Sequence, residues 1–409
     1  MENIEGYIGL CVCFLGLPAS GKTFSAGKLS RYLSWMSVKT EVYSSEKYLE
    51  TEYGSSEIIP PRYSMTKVNL IFNDLEAFYK EGGHVTILDF NECNLELRQN
   101  IVKAAEKRSI LIMFVEIVCT DQKFIEENIT DICKNSPSYK HLPLENAKDK
   151  LREVIKCYQK DYTPLSEAED CTFVRIIDFC NEVNIHNIKN YWQSRIVYYL
   201  SNLRTQRRSI WLSRHGESEF NVQGRIGGNS GLSSQGEKYA SLLPEYVSKF
   251  VVGSKGLTVW TSSMKRTIQT ASHLDYQKLE WKALDELDAG IFDGFTYDYI
   301  EEKYPDEARK RSYDKFHYRY RGGESYMDVV RRLEPIIMEL ERQGDVFIIC
   351  HQAILRCIYG YYHNFSLEEL PFLNVPLHTI LKLTPTTFET LEERLTIPVS
   401  AVSTQRGKH

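Results

Sequence analysis

No apolar run in this sequence is long enough to cross a membrane. The longest, Ile110 to Cys119, is interrupted by Glu116, whereas a spanning helix needs about 20 apolar residues. The first residues show no basic segment followed by a cleavable apolar stretch, so no secretory leader is expected. The first strand signal begins close to Met1, so no long N-terminal extension for regulatory phosphorylation is expected. An excess of positive charge is also missing. Fifty Lys and Arg stand against 55 Asp and Glu, a formal net charge of -5, so no global field favours nucleic acid. The 10 cysteines form no CxxC pair and no His/Cys spacing suited to zinc. Scattered thiols of this kind suit a reducing cytosol. These absences leave a soluble cytoplasmic protein with small-molecule partners, and neither nucleic acid nor membrane among them. Oligomeric state is left open, a homodimer included.

What is present is enough apolar material for large cores, 42% of 409 residues. At ~100–200 residues per domain, two or three domains are expected. Leu10 to Leu15 is a continuous apolar run between glycines and reads as a buried parallel strand. Cys11 and Cys13 would share one face of it as core thiols. A helix follows, with Leu29, Tyr32, Leu33 and Met36 on one face. Further strands are expected over Val85–Leu88, ending at Asp89, over Ile110–Val118 and over Val174–Ile177, with helical patterns between them. This alternation argues for a doubly wound α/β domain. A helix is expected from Tyr191 to Leu203, and the polar segment Arg204 to Arg208 marks the boundary between a first domain, 1–206, and a second, 207–409. Ile210–Leu212, Val259–Trp260 and Val346–Cys350 then restart the α/β pattern.

Gly16-Leu17-Pro18-Ala19-Ser20-Gly21-Lys22-Thr23 fits GxxxxGK[ST] between a strand and a helix, the context that gives this motif its meaning. Its glycines let backbone N–H groups face phosphate oxygens, and the helix N-terminus adds positive potential. Lys22 would reach the outer phosphates, and Thr23 would help hold Mg²⁺. Asp89, at its strand end, is the Walker-B-type carboxylate. The motif implies binding of ATP with Mg²⁺; it does not by itself imply catalysis.

In the second half, Arg214-His215-Gly216-Glu217 follows one strand and His351-Gln352 follows another. Both histidines therefore sit at carboxyl ends of strands, where open α/β sheets bind ligands. Arg214 and Arg266 are suited to grip a phosphoryl group bidentately. A neutral imidazole can attack phosphorus and carry the phosphoryl group, splitting hydrolysis into two easier steps. A second histidine and the arginines would stabilise the equatorial oxygens, and a carboxylic acid is needed to protonate the leaving alkoxide. His84, His273 and His363 lack such a frame and read as structural.

The Arg-His-Gly-Glu run resembles the signature of the histidine phosphatase superfamily. Asn221, Gln223 to Gly228, Trp260-Thr261-Ser262, Lys265 to Thr270, Trp281 to Leu284, Ile349 to Ala353 and Leu355-Arg356-Cys357 resemble the extended motifs of fructose-2,6-bisphosphatases. The whole chain has the layout of the bifunctional 6-phosphofructo-2-kinase/fructose-2,6-bisphosphatase family, most strongly from Ser194 to Pro385. The resemblance implies that His215 becomes phosphohistidine. It places Arg214, Asn221, Arg266 and His351 on the transferring 2-phosphate and makes Glu286 the proton donor. It assigns Gly227, Tyr297, Arg311, Lys315, Tyr326, Gln352 and Arg356 to the sugar and its other phosphate. Hydrolysis of fructose 2,6-bisphosphate, controlling glycolysis and gluconeogenesis without a cofactor, is the implied activity.

The first half departs from the family. Leu49, Glu50, Asn69, Leu95 and Leu97 stand where arginines are expected. Asn91 replaces a threonine, and Cys133, beside Lys134, replaces a lysine. Cys119, Arg195 and Tyr199 still match. A site for a phosphate dianion that loses most of its cations binds it poorly. The expectation is a phosphatase with an ATP-binding, weak or inactive kinase half. The alternatives are a fully bifunctional enzyme, with Lys47, Arg62 or Lys67 substituting, and an ATP-sensing regulatory protein.

Overall fold

A computed structural model describes residues 6–44, 48, 63–136, 138–178, 180–204, 208–251, 256–386 and 389–404. Lys47, Leu49, Glu50 and Arg62 lie outside the described residues, as do residues 205–207 of the expected boundary segment. The chain divides into two compact units, 1–205 and 206–409. Among the described residues no helix is long and apolar enough to cross a membrane.

The first unit runs β1 (Gly9–Leu15), α1 (Lys22–Trp35), β2 (Thr40–Ser44), α2 (Met65–Lys80), β3 (Val85–Asp89), α3 (Leu95–Glu106), β4 (Ile110–Val118), α4 (Gln122–Asn135), α5 (Leu144–Lys160), β5 (Phe173–Ile177), β6 (Glu182–His186) and α6 (Tyr191–Asn202). Its sheet has the order β2-β3-β1-β4-β5-β6. β1 is parallel to both neighbours and buried at every residue. That double burial is why its sequence is an unbroken apolar run and not an alternating one. Cys11 and Cys13 are fully buried there, their sulfurs 3.6 Å apart. β6 is antiparallel to β5.

The second unit runs β7 (Ile210–Arg214), α7 (Glu219–Val222), α8 (Ser234–Phe250), β8 (Thr258–Thr261), α9 (Lys265–Ala271), β9 (Gln277–Glu280), α10 (Tyr297–Lys303), α11 (Pro305–Tyr313), α12 (Tyr326–Arg342), β10 (Val346–Cys350), α13 (Gln352–His363), β11 (Thr379–Pro385) and β12 (Thr390–Thr396). The sheet order is β12-β11-β7-β10-β8-β9. β7 and β10 are parallel neighbours, with Arg214 level with Cys350. Both histidines expected at strand ends therefore leave the sheet side by side. β11 joins β7 antiparallel. The edge strands β2, β6, β9 and β12 are largely exposed or half-exposed, so no apolar run announces them in the sequence.

Candidate active site

The second unit gathers its site around the ends of β7 and β10. The rings of His215 and His351 lie 5.2 Å apart between centroids. His215 Nδ1 is 2.7 Å from the carbonyl oxygen of Gly216. A carbonyl only accepts, so Nδ1 carries the proton and Nε2 keeps its lone pair. Burial above all, then the Arg266 and Arg214 guanidinium groups, holds this imidazole well below the usual histidine range. His215 is thus neutral, with a defined tautomer. His351 is likewise neutral, through burial first and then Arg266. Arg266 Nε donates to its Nδ1 at 3.2 Å, so its Nε2–H donates to Ser262 Oγ at 2.7 Å.

Arg214 and Arg266 are buried, and neither has a carboxylate hydrogen bond among the described residues. Arg266 Nη1 donates to Gly228 O at 2.7 Å. Gly227 and Gly228 have φ of 66° and 63°, and a Cβ on Gly227 would overlap the Asp293 carboxylate, so this turn requires glycine. Arg214 Nη1 donates to Val375 O and Thr404 Oγ1, whereas its Nε is buried without a hydrogen-bond partner among the described residues. Burial pushes Arg214 down to about 9, and neighbouring Arg356 and Arg266 push the same way against Glu286. Such a cation favours an anion beside it. Glu286 Oε1 accepts from the amides of Leu287 at 3.0 Å and Ala353 at 3.3 Å, which holds the carboxyl at the N-terminal turn of α13.

A second cationic group adjoins the first. Arg356 donates to Leu373 O at 2.8 Å and Tyr326 Oη at 3.1 Å. Arg311 donates to Tyr320 Oη at 2.8 Å and lies over the Tyr297 ring at 4.9 Å. Lys315 donates to Pro371 O at 2.9 Å. Burial, then Arg311 and Arg356, lowers Lys315 to about 7. Asn221 sits in α7, its Oδ1 accepting from Ser218 N and Oγ, both at 3.0 Å. Gln352 is the half-exposed first residue of α13.

Sequence reasoning named Ser262 within a motif without a role; its partnership with His351 emerges only in the fold. It missed Arg332, whose Nη1 donates to Ala283 O at 2.6 Å and Asp285 O at 3.0 Å, pinning the segment that carries Glu286. It also missed Thr404. No spacing in the chain signals either residue.

In the first unit, Gly16 has φ 145° and Gly21 φ 92°. A Cβ on Gly16 would meet Ile117 O at 2.6 Å. Leu17, Pro18, Ala19 and Ser20 complete the loop, with Ala19 O accepting from Asn128 Nδ2 at 2.9 Å. Thr23 Oγ1 donates to Asp89 Oδ2 at 2.6 Å, and Lys22 Nζ lies 3.7 Å from Asp89 Oδ1 and donates to Asn91 Oδ1. At the positions where the resemblance expects cations, Asn69 Oδ1 accepts from Arg108 at 3.2 Å. Leu97 and Cys133 are buried, and Leu95 is exposed. Arg98 is buried and held by Glu169 through two contacts of 2.7 Å. Tyr199 is fully buried, stacked on Tyr32 at 4.3 Å and bonded to Lys28 O. Arg195 donates to Tyr32 Oη at 2.9 Å.

Residues 5–207 match the 6-phosphofructo-2-kinase family, and residues 210–396 match the histidine phosphatase superfamily (branch 1). A probable fructose-2,6-bisphosphatase of Schizosaccharomyces pombe is 68% identical over 409 residues, 100% of each chain. The fructose-2,6-bisphosphatase of Saccharomyces cerevisiae is 43% identical over 414 residues, 98% of this chain and 91% of the other. A 6-phosphofructo-2-kinase/fructose-2,6-bisphosphatase of Rattus norvegicus is 41% identical over 410 residues, 97% of this chain and 74% of the other. With two strand-end histidines set among buried arginines, in a unit that follows a phosphate-loop unit in sequence, this chain belongs to the 6-phosphofructo-2-kinase/fructose-2,6-bisphosphatase family.

Proposed function

We propose that this chain hydrolyses fructose 2,6-bisphosphate to fructose 6-phosphate and inorganic phosphate. The observation that carries the reading is the pairing of a neutral, tautomer-defined His215 among buried arginines with a second cationic group nearby. One group suits the transferring phosphate, the other a second phosphate on the same substrate. Nε2 of His215 forms a bond to the 2-phosphorus while the bond from phosphorus to the sugar 2-oxygen breaks. Arg214, Arg266, His351 and Asn221 hold the equatorial oxygens. Glu286 gives its proton to the leaving oxygen. Water then attacks the phosphohistidine, its proton passing to Glu286, and phosphate leaves. Arg311, Lys315 and Arg356, with Gly227, Tyr297, Tyr326 and Gln352, hold the sugar and its 6-phosphate and so bring the reacting atoms into line. A brief incubation with substrate labelled at the 2-phosphate tests this. Wild type is expected to trap acid-labile, alkali-stable label and His215→Ala none; full labelling of the variant would remove His215 as nucleophile.

We assign residues 207–409 to this activity and 1–206 to a kinase-like half that binds MgATP. The residues fit that ligand: the Gly16 turn admits no side chain, and Thr23, Asp89 and Lys22 converge. Thr23 and Asp89 would hold Mg²⁺, and Lys22 the outer phosphates. We infer that its transfer to fructose 6-phosphate is weak or inactive. Asn69, Leu95, Leu97 and Cys133 supply no charge, and Arg98 is committed to Glu169. A cytoplasmic location fits the ten cysteines, all free.

A further inference from the structure

We propose that Thr404 is a positioning residue for the transferring phosphate, acting through Arg214 from a C-terminal segment strapped along the nucleophile's loop. The proposal rests on the assignment of Arg214 to that phosphate.

The segment is tied down at successive points. Ile397 is fully buried, and its amide donates to His378 O at 2.9 Å. His378 in turn bridges the segment and the nucleophile's loop. Its Nδ1 lies 2.9 Å from Val399 O, and its Nε2 accepts from the amide of Glu217 at 3.0 Å. The carbonyl partner makes Nδ1 the donor and leaves Nε2 the acceptor, so one neutral tautomer satisfies both. Glu217 lies two residues after the nucleophile and is buried. Its Oε2 accepts from the amide of Val402 at 2.7 Å, and its Oε1 from Ser233 Oγ at 2.6 Å. Two residues further, Thr404 Oγ1 accepts from Arg214 Nη1 at 2.7 Å.

The consequence follows from the shape of guanidinium. Its five N–H groups lie in one rigid plane. Val375 O and Thr404 Oγ1 are both acceptors of the same nitrogen, Nη1. Occupying both Nη1 hydrogens fixes the orientation of the plane and leaves the Nε–Nη2 edge for other use. That edge is the fork that grips two oxygens of a phosphate. Its Nε is the buried nitrogen without a hydrogen-bond partner among the described residues. Thr404 therefore aims the fork without touching the substrate.

The test compares Thr404→Val, which keeps the shape and removes the acceptor, with Thr404→Ser, which keeps the acceptor. Hydrogen bonds to charged groups contribute enough that Thr404→Val is expected to lower kcat by about tenfold or more. KM should stay within about twofold, because the 6-phosphate group is untouched. The rate of phosphohistidine labelling should fall in parallel with kcat, and Thr404→Ser should be close to wild type. Full kcat in Thr404→Val overturns the proposal. So does equal impairment of both variants, or a loss that tracks a lowered melting temperature. Arg214→Ala is run alongside. If it retains full kcat, the assignment of Arg214 is wrong; if it is inactive while Thr404→Val is not, only the role of Thr404 falls.

Discussion

The protonation of His215 is set by its neighbours. The Gly216 carbonyl selects the tautomer, and burial with two guanidinium groups removes the second proton. Glu286 is set up differently, at the N-terminal turn of α13, where backbone amides hold one oxygen. Glu286→Gln keeps that acceptor and removes the transferable proton. It is expected to lower kcat by ~10²–10⁴-fold with little change in KM; a large rise in KM with intact kcat would make Glu286 a binding residue. Lys315 yields a prediction in pH. Burial, Arg311 and Arg356 lower it to about 7, so above that pH it is mostly neutral in the free protein. A bound phosphate dianion favours the ammonium form, so binding takes up a proton in this range. A phosphate's own second ionisation, near ~6, is by then complete. KM should therefore rise from pH 7 to 9, by up to about tenfold per unit, and Lys315→Arg should flatten the rise. A flat wild-type profile would show that Lys315 stays charged throughout.

Between elements, the spacing of β7's exit loop from α8 is set by two glycines. A Cβ on Gly216 would meet Gly236 O at 2.6 Å, and one on Gly236 would overlap the Glu217 carbonyl. Both obstacles are backbone and cannot swing aside. Gly236→Ala is expected to destabilise the protein by about 1–3 kcal/mol, as overpacking does, and to lower kcat by moving the loop that carries His215. An unchanged melting temperature together with unchanged kcat would show that the loop yields freely. Most central strands were legible because burial on both faces writes itself as an apolar run, as in β1 and β10; β11, buried but interrupted by Lys382 and Thr384, was not expected. The strands β6, β9 and β12 lie at the edges of their sheets, where mixed polar composition is tolerated and leaves no comparable trace. Helix α6, expected over Tyr191–Leu203, spans Tyr191–Asn202, and a capping box of Asn190 and Gln193 fixes its start.

For the molecule as a whole, the two units carry unequal chemistry. The first keeps the loop from Gly16 to Thr23 and Asp89, and lacks cations at Asn69, Leu95 and Leu97. The protein is expected to bind MgATP, and a His215→Ala variant, freed of the opposing phosphatase, is expected to accumulate little fructose 2,6-bisphosphate from MgATP and fructose 6-phosphate. Losing one charge-assisted hydrogen bond costs ~1.5–3 kcal/mol; losing several weakens acceptor binding by powers of ten, though such losses do not simply add. Accumulation at an ordinary enzymatic rate with a KM in the micromolar range would establish the bifunctional reading instead. Altered phosphatase kinetics on adding MgATP would identify the first unit as a sensor.

Features that rest on local backbone demands can be read directly along the chain. A phosphate loop needs glycines and a lysine at set spacing, and a strand-end nucleophile needs an apolar run just before it, so both can be read along the chain. Other features arise only in the fold, because they need groups distant in sequence to share one dry space. Protonation states are of this kind: the neutrality of His215 depends on burial and then on Arg266, and the depressed Lys315 on burial and then on Arg311 and Arg356. The aim of Arg214 is set by Thr404, near the other end of the unit. Electrostatic interaction depends on separation in space and on solvent exclusion, and neither is a property of position in the chain.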